Sequence, residues 1–186
     1  MDMPEIFSAY DMYVNGTLVM SMGGLQPDSY QDATGNRMVI FSPDESGMAI
    51  ILIAVSNQSY IYGGMIYPPA FGTLEALSDV REIRLMLCLC IIFALLISAV
   101  ISLYLWLRIR HTNAFSFFLL CITMIGWMSY PIVHTMWILP VFPYYFLELL
   151  FYYLTMFLML VMHNEICDVY RNTARISSCI ALLFCP

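Results

Sequence analysis

Two ionisable side chains, His134 and Glu148, lie in the apolar second half of the chain, close to the ends of two predicted membrane spans. The link between these spans, Ile138–Pro143, is short, so both side chains are expected at a similar depth, where an imidazole and a carboxylate can pair. Polar groups inside a membrane are costly, so this intramembrane polar pair is a candidate functional site. The alternative interpretation is that both side chains reach lipid headgroups or water.

A second candidate site surrounds the last turn of the polar first part. Asn57, Tyr60 and Tyr62 combine an amide with two phenol rings, which suits stacking on and hydrogen bonding to a carbohydrate-like ligand. The alternative is that Asn57 adopts a left-handed backbone conformation and caps the turn, while the tyrosines pack at the membrane surface. We expect His163, at the end of a span, only to extend its ring towards the interface.

Catalytic and metal-binding patterns are missing from the sequence. It contains no Gly-x-Ser-x-Gly, no His-Glu-x-x-His and no paired intramembrane aspartates. All six cysteines follow residue 84, and Cys88-x-Cys90 has neither redox nor zinc spacing, so buried packing is the expected role of these thiols. We therefore predict that the chain is not an enzyme, with no catalytic residue, no metal and no cofactor.

Charge divides the chain near residue 84. Residues 1–79 contain nine acids and one base, Arg37, which leaves no basic patch for nucleic acid. The 23 residues of Leu85–Leu107 carry no charge and are long enough to cross a bilayer as a helix. Similar runs at Phe115–Trp137 and Tyr144–Met162 predict two more spans, and residues 176–186 resemble the start of a fourth.

Positive charge predicts the orientation of these spans. The links that follow the first and third spans are basic, so we expect them in the cytoplasm, whereas Ile138–Pro143 is uncharged and expected outside. Asn113 should therefore face the cytoplasm and Leu139 the exterior of the inner (plasma) membrane, with an extracytoplasmic N-terminal domain. Two arginines before the first span oppose this orientation, but the cytoplasmic arginines outnumber them. The opposing pair is Arg81 and Arg84, and the cytoplasmic set is Arg108, Arg110, Arg171 and Arg175.

Two local features concern the helices. Pro131 should kink the second span near its outer end, because proline removes one helix hydrogen bond and clashes with the preceding turn.

In the segment 73–84, Leu74, Leu77 and Val80 recur at helical spacing, and the segment contains no Pro or Gly. This spacing predicts a helix that continues into the first span.

Residues 1–77 have the pattern of short β-strands. Phe7–Val14 and Thr17–Met20 flank Asn15-Gly16, a strong hairpin signal, and Met38–Phe41 and a buried strand at Met48–Val55 follow. The predicted fold class is β plus membrane α: a partial, jelly-roll-like β-sandwich domain over residues 1–77, followed by a polytopic transmembrane helix bundle over residues 78–186. About five strands are fewer than such a sandwich needs. We therefore expect further strands upstream of Met1 and an open sheet edge.

These segments resemble a known family. Ala9–Gly16 (AYDMYVNG) is similar to a hairpin of bacterial extracytoplasmic jelly-roll sensor domains, and Val55-Ser56-Asn57, Gly63-Gly64 and Phe71-Gly72 are similar to the end of those domains. A block of spans that follows at once is typical of bacterial seven-transmembrane receptors with diverse intracellular signalling modules. The chain departs from that family at both ends, because the front strands are absent and the chain stops inside the fourth predicted helix, with no output domain.

The resemblance implies the input and transmembrane portion of a signalling receptor. Its partners would be the lipid bilayer, a carbohydrate-like or other small extracytoplasmic ligand, and a cytoplasmic output domain of the histidine kinase or diguanylate cyclase type. A second copy of the chain is a further expected partner, and nucleic acid is not. Two alternatives stay open: a subunit of a polytopic transporter or channel, which tends to show broken helices and midplane charges, and an intramembrane enzyme.

Overall fold

The secondary structure changes from strands to helices at Leu74. The structure is a computed structural model that describes residues 1–26, 28, 30–58, 65, 67–110 and 112–167. Its described residues form two compact units, which we call the first unit (residues 1–85 and 131–144) and the second unit (residues 86–130 and the chain from 145 on). The elements are β1 (Asp2–Met3), β2 (Ala9–Val14), β3 (Thr17–Met22), β4 (Arg37–Met38), β5 (Ile51–Ser56), α1 (Leu74–Ile109), α2 (Thr112–Met128), α3 (Tyr130–Met136) and α4 (Val141–Cys167).

The predicted hairpin at Asn15-Gly16 is confirmed. Asn15 (φ 50°) and Gly16 (φ 80°) both adopt positive φ, which a two-residue turn between β2 and β3 requires. The Asn15 side chain also accepts a hydrogen bond from the backbone N–H of Ile50 at 2.8 Å. The register shifts between Met12 and Tyr13, which leaves Val19 of β3 without an opposite residue, so a bulge interrupts the ladder.

Strand β2 is the centre of a three-stranded antiparallel sheet of order β3-β2-β5, and β1 and β4 form a second, two-stranded sheet. Alternate residues of β2 point into an apolar core, as the pleat of a strand dictates. This core is formed by Met1, Met3, Ile6, Tyr10, Met12, Val14, Met22 and Val39.

The prediction of a buried strand at Met48–Val55 is wrong in one respect. β5 is an edge strand of its sheet, so only alternate side chains such as Ile53 pack on the core, while Leu52 is 61% exposed. Among the described residues β5 pairs with β2 alone, which agrees with the expected open edge. The predicted strand Met38–Phe41 is also shorter, because only Arg37–Met38 pairs with β1. A sandwich or jelly roll stays a prediction.

Two glycines with positive φ provide a matched test of this sheet. Gly16 (φ 80°) has open space where a Cβ would lie, whereas a Cβ on Gly23 (φ 74°) would lie 2.1 Å from the backbone oxygen of Gln31. Gly16→Ala should therefore cost only the backbone strain, about 1 kcal/mol. Gly23→Ala adds a steric clash and should cost about 3 kcal/mol in total. Thermal unfolding of both variants in detergent measures the difference, and equal costs would contradict the described packing of Gly23.

The predicted helix across the segment 73–84 is confirmed, because α1 is continuous from Leu74 to Ile109. Thr73 caps its N-terminus: the Thr73 hydroxyl accepts a hydrogen bond from the Ala76 N–H at 3.3 Å. At 1.5 Å per residue α1 is about 54 Å long. A bilayer's hydrocarbon core is about 30 Å thick, so α1 is long enough to cross it and extend well beyond.

Within the described residues, three helical stretches are long and apolar enough to cross a membrane: Leu74–Ile109, Asn113–Met136 and Val141–Glu165. The second is interrupted at Ser129, between α2 and α3. Pro131 follows two residues later and has no N–H to donate to the preceding turn, which agrees with the predicted break. The link before α4 is shorter than predicted, since α4 begins at Val141 and accommodates Pro143 in its first turn.

Aromatic side chains dominate the packing of the second unit. The rings of Trp106 in α1 and Phe115 in α2 lie 4.8 Å apart, and Arg110 lies over the Trp106 ring at 5.9 Å. Gly126 of α2 leaves room for the ring of Phe151, since a Cβ there would approach the ring to 2.6 Å. These contacts pack α2 against both α1 and α4 within this unit.

Candidate functional site

The C-terminal end of α3 lies against the segment between β3 and β4, within the first unit. Thr34 and Leu139 form an isolated antiparallel bridge: the Thr34 N–H donates to the Leu139 carbonyl at 2.9 Å, and the Leu139 N–H donates back at 3.1 Å. Next to it, the Asn36 N–H donates to the carbonyl of His134 at 3.0 Å. We call these two segments, residues 34–37 and residues 134–139, the junction.

Two arginines from different elements converge on one carbonyl of the junction. Nη1 of Arg37, in β4, lies 3.2 Å from the carbonyl oxygen of Thr135. Nη2 of Arg81, in α1, lies 3.2 Å from the same oxygen. The carbonyl oxygen of Thr135 therefore joins three elements that are far apart in the sequence: β4, α1 and α3.

The physical basis of the junction is the end of a helix. The last carbonyls of a helix have no partner inside it and carry a partial negative charge. In α3 the carbonyl of Val133 accepts from the Trp137 N–H at 2.9 Å, while those of His134 and Thr135 accept from Asn36 and the two arginines. Guanidinium donors at this end satisfy the carbonyls and favour the helix dipole.

The side chain of His134 lies beside Glu5, in the segment between β1 and β2. Its side chain is only 1% exposed, and its Nδ1 lies 3.5 Å from a carboxylate oxygen of Glu5, which is 17% exposed. Because protein atoms bury the ring, the interpretation that His134 reaches headgroups or water is wrong. The predicted pairing with Glu148 would join the first unit to the second, since Glu148 lies in α4, and it stays a prediction.

Arg37 also acts on the core of the first unit. Tyr10 is 1% exposed, and among the described residues its hydroxyl has no hydrogen-bond partner. Burial raises the pKa of Tyr10 to about 12, and the positive charge of Arg37 acts in the opposite direction. Tyr10 therefore stays neutral at physiological pH, and Arg37, which donates to the junction, also acts electrostatically on this core side chain.

The other predicted site residues have separate outcomes. Asn57 is exposed just after β5, and Tyr60 and Tyr62 lie outside the described residues, so their predicted ligand site stays a prediction. Glu148 is half-buried in α4, and His163 is exposed near the end of the same helix. In the described part of the chain, no group of three His, Cys, Asp or Glu side chains is arranged to hold a metal ion.

A cavity of ≈ 380 Å³ lies beside the start of α1 in the first unit. That volume is within the range of small-molecule sites. Its lining is mainly apolar and includes Ile40, Phe41 and Phe71 together with Leu74 and Leu77 of α1. Such a lining offers few hydrogen bonds, so it suits an apolar molecule better than a carbohydrate.

Sequence analysis did not identify the junction. Its acceptors are backbone carbonyls, which no side chain marks in the sequence. Its donors, Arg37 and Arg81, stand out in the sequence only by their charge. The available signal was Pro131 together with the end of a short helix, which creates free carbonyls that need donors.

Searches of protein-family models, curated proteins and solved structures find no match for this chain.

Proposed function

We propose that this chain is the input and transmembrane portion of a bacterial signalling receptor. An extracytoplasmic, jelly-roll-like domain would sense a ligand, and the spans would relay the signal to a cytoplasmic output domain of the histidine kinase or diguanylate cyclase type. The observation that carries the proposal is the junction. We call residues 1–73, which contain all five strands, the β-rich part. Its residues hold the carbonyl end of α3, and α3 is part of a helical stretch able to cross a membrane.

The junction gives the β-rich part a direct route to the spans. A ligand that binds one arrangement of the β-strands better than another shifts the population towards that arrangement. Because Asn36 and Arg37 hold the His134 and Thr135 carbonyls, displacement of this segment would displace α3. A shift of one helix against its neighbours is a known form of switching transition.

Helix α1 offers a second route. It begins at Leu74, directly after the capping residue Thr73, and continues without a break to Ile109. Arg81 of α1 donates to the same Thr135 carbonyl as Arg37, so the two routes meet at one atom. A movement of the β-strands would thus reach α1 and α3 together.

The orientation of the receptor follows from charge. Because Thr34 bonds to Leu139, the β-rich part and the α3–α4 link must lie on the same side of the bilayer. The link has no charge, whereas the α1–α2 link carries Arg108 and Arg110. By the positive-inside rule we place the β-rich part outside the inner membrane and the α1–α2 link in the cytoplasm.

An insertion into α1 tests this function in the receptor with its output domain attached. Four residues, Gly-Ser-Gly-Ser, inserted after Leu77 would break the helix between the β-rich part and the span, because glycine and serine are poor helix formers. We expect the output to lose its response to an extracytoplasmic ligand, while ligand affinity stays within about twofold. The measurement is output activity, as autophosphorylation or cyclic dinucleotide synthesis, against ligand concentration.

The matched control inserts seven helix-forming residues, Ala-Glu-Ala-Ala-Lys-Ala-Ala, at the same position. Seven residues make about two helical turns, so the faces of α1 keep their phase. This variant should retain most of the response. A response that survives the flexible insertion would contradict relay through α1, and ligand-dependent solute flux through the protein in liposomes would favour a transporter.

A further inference from the structure

A basic cleft lies at the first part of α1, next to the carbonyl at which the two proposed routes meet. Arg81 and Arg84 line it together with Asp2, Asn36 and Thr135, all within the first unit. Arg37 lies beside it, because Arg37 and Arg81 donate to the same Thr135 oxygen. Three of the seven basic residues of the chain therefore gather at this place.

The positive charge at this cleft exceeds the negative charge. In the described part of the chain, no carboxylate lies within the 4.0 Å ion-pair distance of Arg37, Arg81 or Arg84. Asp2 contributes one negative charge to the lining, against the two guanidinium groups of Arg81 and Arg84, and Arg37 adds a third positive charge beside the cleft. The Thr135 carbonyl, which accepts from two of these groups, carries only a partial negative charge, so it offsets only part of their mutual repulsion. An anion that binds here gains favourable electrostatic energy.

The position of the cleft along α1 indicates where such an anion comes from. Arg84 directly precedes Leu85, the first residue of the 23-residue uncharged run. Arginines at that position lie at the level of the lipid headgroups, where phosphate groups are concentrated. These are also the two arginines that oppose the positive-inside orientation; Asp79 and Glu82, beside them in the sequence, offset part of their charge, and neither lines the cleft.

We propose that Arg81 and Arg84, with Arg37 beside them, bind the phosphate group of an anionic phospholipid at the outer surface of the membrane. Guanidinium groups match phosphate geometry and bind it with paired hydrogen bonds. The cleft has a volume of ≈ 30 Å³, which is about the volume of one water molecule in the liquid. One phosphate oxygen enters the cleft, and the exposed Arg84 binds the rest of the headgroup at its mouth.

This site takes its side of the membrane from the proposed orientation, but it does not depend on the receptor function. A lipid phosphate bound between Arg81 and Arg84 would strengthen the contact between α1 and the end of α3, because Arg81 also holds the Thr135 carbonyl. The lipid would then stabilise the junction whether the chain is a receptor or a transporter. Loss of lipid binding would therefore leave the receptor proposal standing.

The test uses the whole chain in nanodiscs that contain either phosphatidylcholine alone or phosphatidylcholine with phosphatidylglycerol. We expect phosphatidylglycerol to raise the midpoint of thermal unfolding by about 5 °C, as expected for a ligand present well above its dissociation constant. Arg84→Gln and Arg81→Gln/Arg84→Gln should each lose at least half of this shift. Every variant is compared with its own midpoint in phosphatidylcholine, so a change in basal stability does not affect the result.

Arg108→Gln/Arg110→Gln is the charge-matched control for the double variant, because it removes two arginines at the other end of α1, one in its last turn and one directly after it. This variant should keep the full shift. A third arm adds inorganic phosphate to nanodiscs of phosphatidylcholine alone, where we expect no shift. An equal shift with inorganic phosphate would replace the lipid by a soluble phosphate, and an unchanged shift in the Arg84→Gln variant would overturn the site.

Discussion

Replacement of Thr34 by proline is expected to detach the β-rich segment from the end of α3. Proline has no N–H, so the hydrogen bond from Thr34 to the Leu139 carbonyl at 2.9 Å is lost, and the bridge between the two segments opens. Leu139 is half-buried, so leaving its carbonyl without this donor costs about 1–3 kcal/mol, and the restricted φ of proline adds to this. We expect the midpoint of thermal unfolding in detergent to fall by about 5 °C or more.

Thr34→Val is the matched control for this variant. Thr34 is 1% exposed, and among the described residues its hydroxyl has no hydrogen-bond partner. Valine has nearly the same shape, keeps the N–H that bonds to Leu139, and removes a buried polar group without a partner. Thr34→Val should therefore leave the midpoint unchanged or raise it. If valine and proline lower the midpoint equally, the backbone bridge does not hold the junction.

Local patterns in the sequence were sufficient to predict several elements of the fold. The Asn15-Gly16 turn is confirmed because its two positive φ angles depend only on these residues and their neighbours. The apolar runs predicted the membrane helices because a span needs about 20 apolar residues and little else. The break at Ser129 follows from Pro131 in the same local way.

The errors concern features that distant residues determine. Whether β5 is buried depends on its order in the sheet, which the composition of Ile51–Ser56 does not encode. The predicted strand Met38–Phe41 is shorter because only Arg37–Met38 pairs with β1, which comes from the start of the chain.

The candidate site was the least predictable feature. Within the first unit, His134 lies beside Glu5, which is far away in the sequence, and no local pattern predicts such a contact; the pairing of His134 with Glu148 stays a prediction. The junction depends on backbone carbonyls at the end of α3, and no residue type marks a carbonyl that needs a donor. Its position in the sequence marks Arg81 only as an exception to the positive-inside rule. It does not predict that Arg81 donates a hydrogen bond to the Thr135 carbonyl.

The second large effect is expected from a covalent link across the junction. In a variant whose native cysteines are replaced by serine, Thr34→Cys and Leu139→Cys would form an opposed pair, because these residues exchange two backbone hydrogen bonds. The Cα atoms of such a pair lie about 5.5 Å apart, which is within the range that a disulfide spans. We expect the disulfide in more than half of the molecules after mild oxidation of intact cells.

This cross-link is also the most direct test of the central claim, that the β-rich part holds the end of α3 on the outer side of the membrane. Mass spectrometry would detect the linked peptides, and a control pair would place the second cysteine at Asn113, which the arginines assign to the cytoplasm. The account predicts a 34–139 disulfide that a membrane-impermeant reductant opens in intact cells, and no 34–113 disulfide. Absence of the 34–139 link, or its resistance to that reductant until the cells are lysed, would contradict the account.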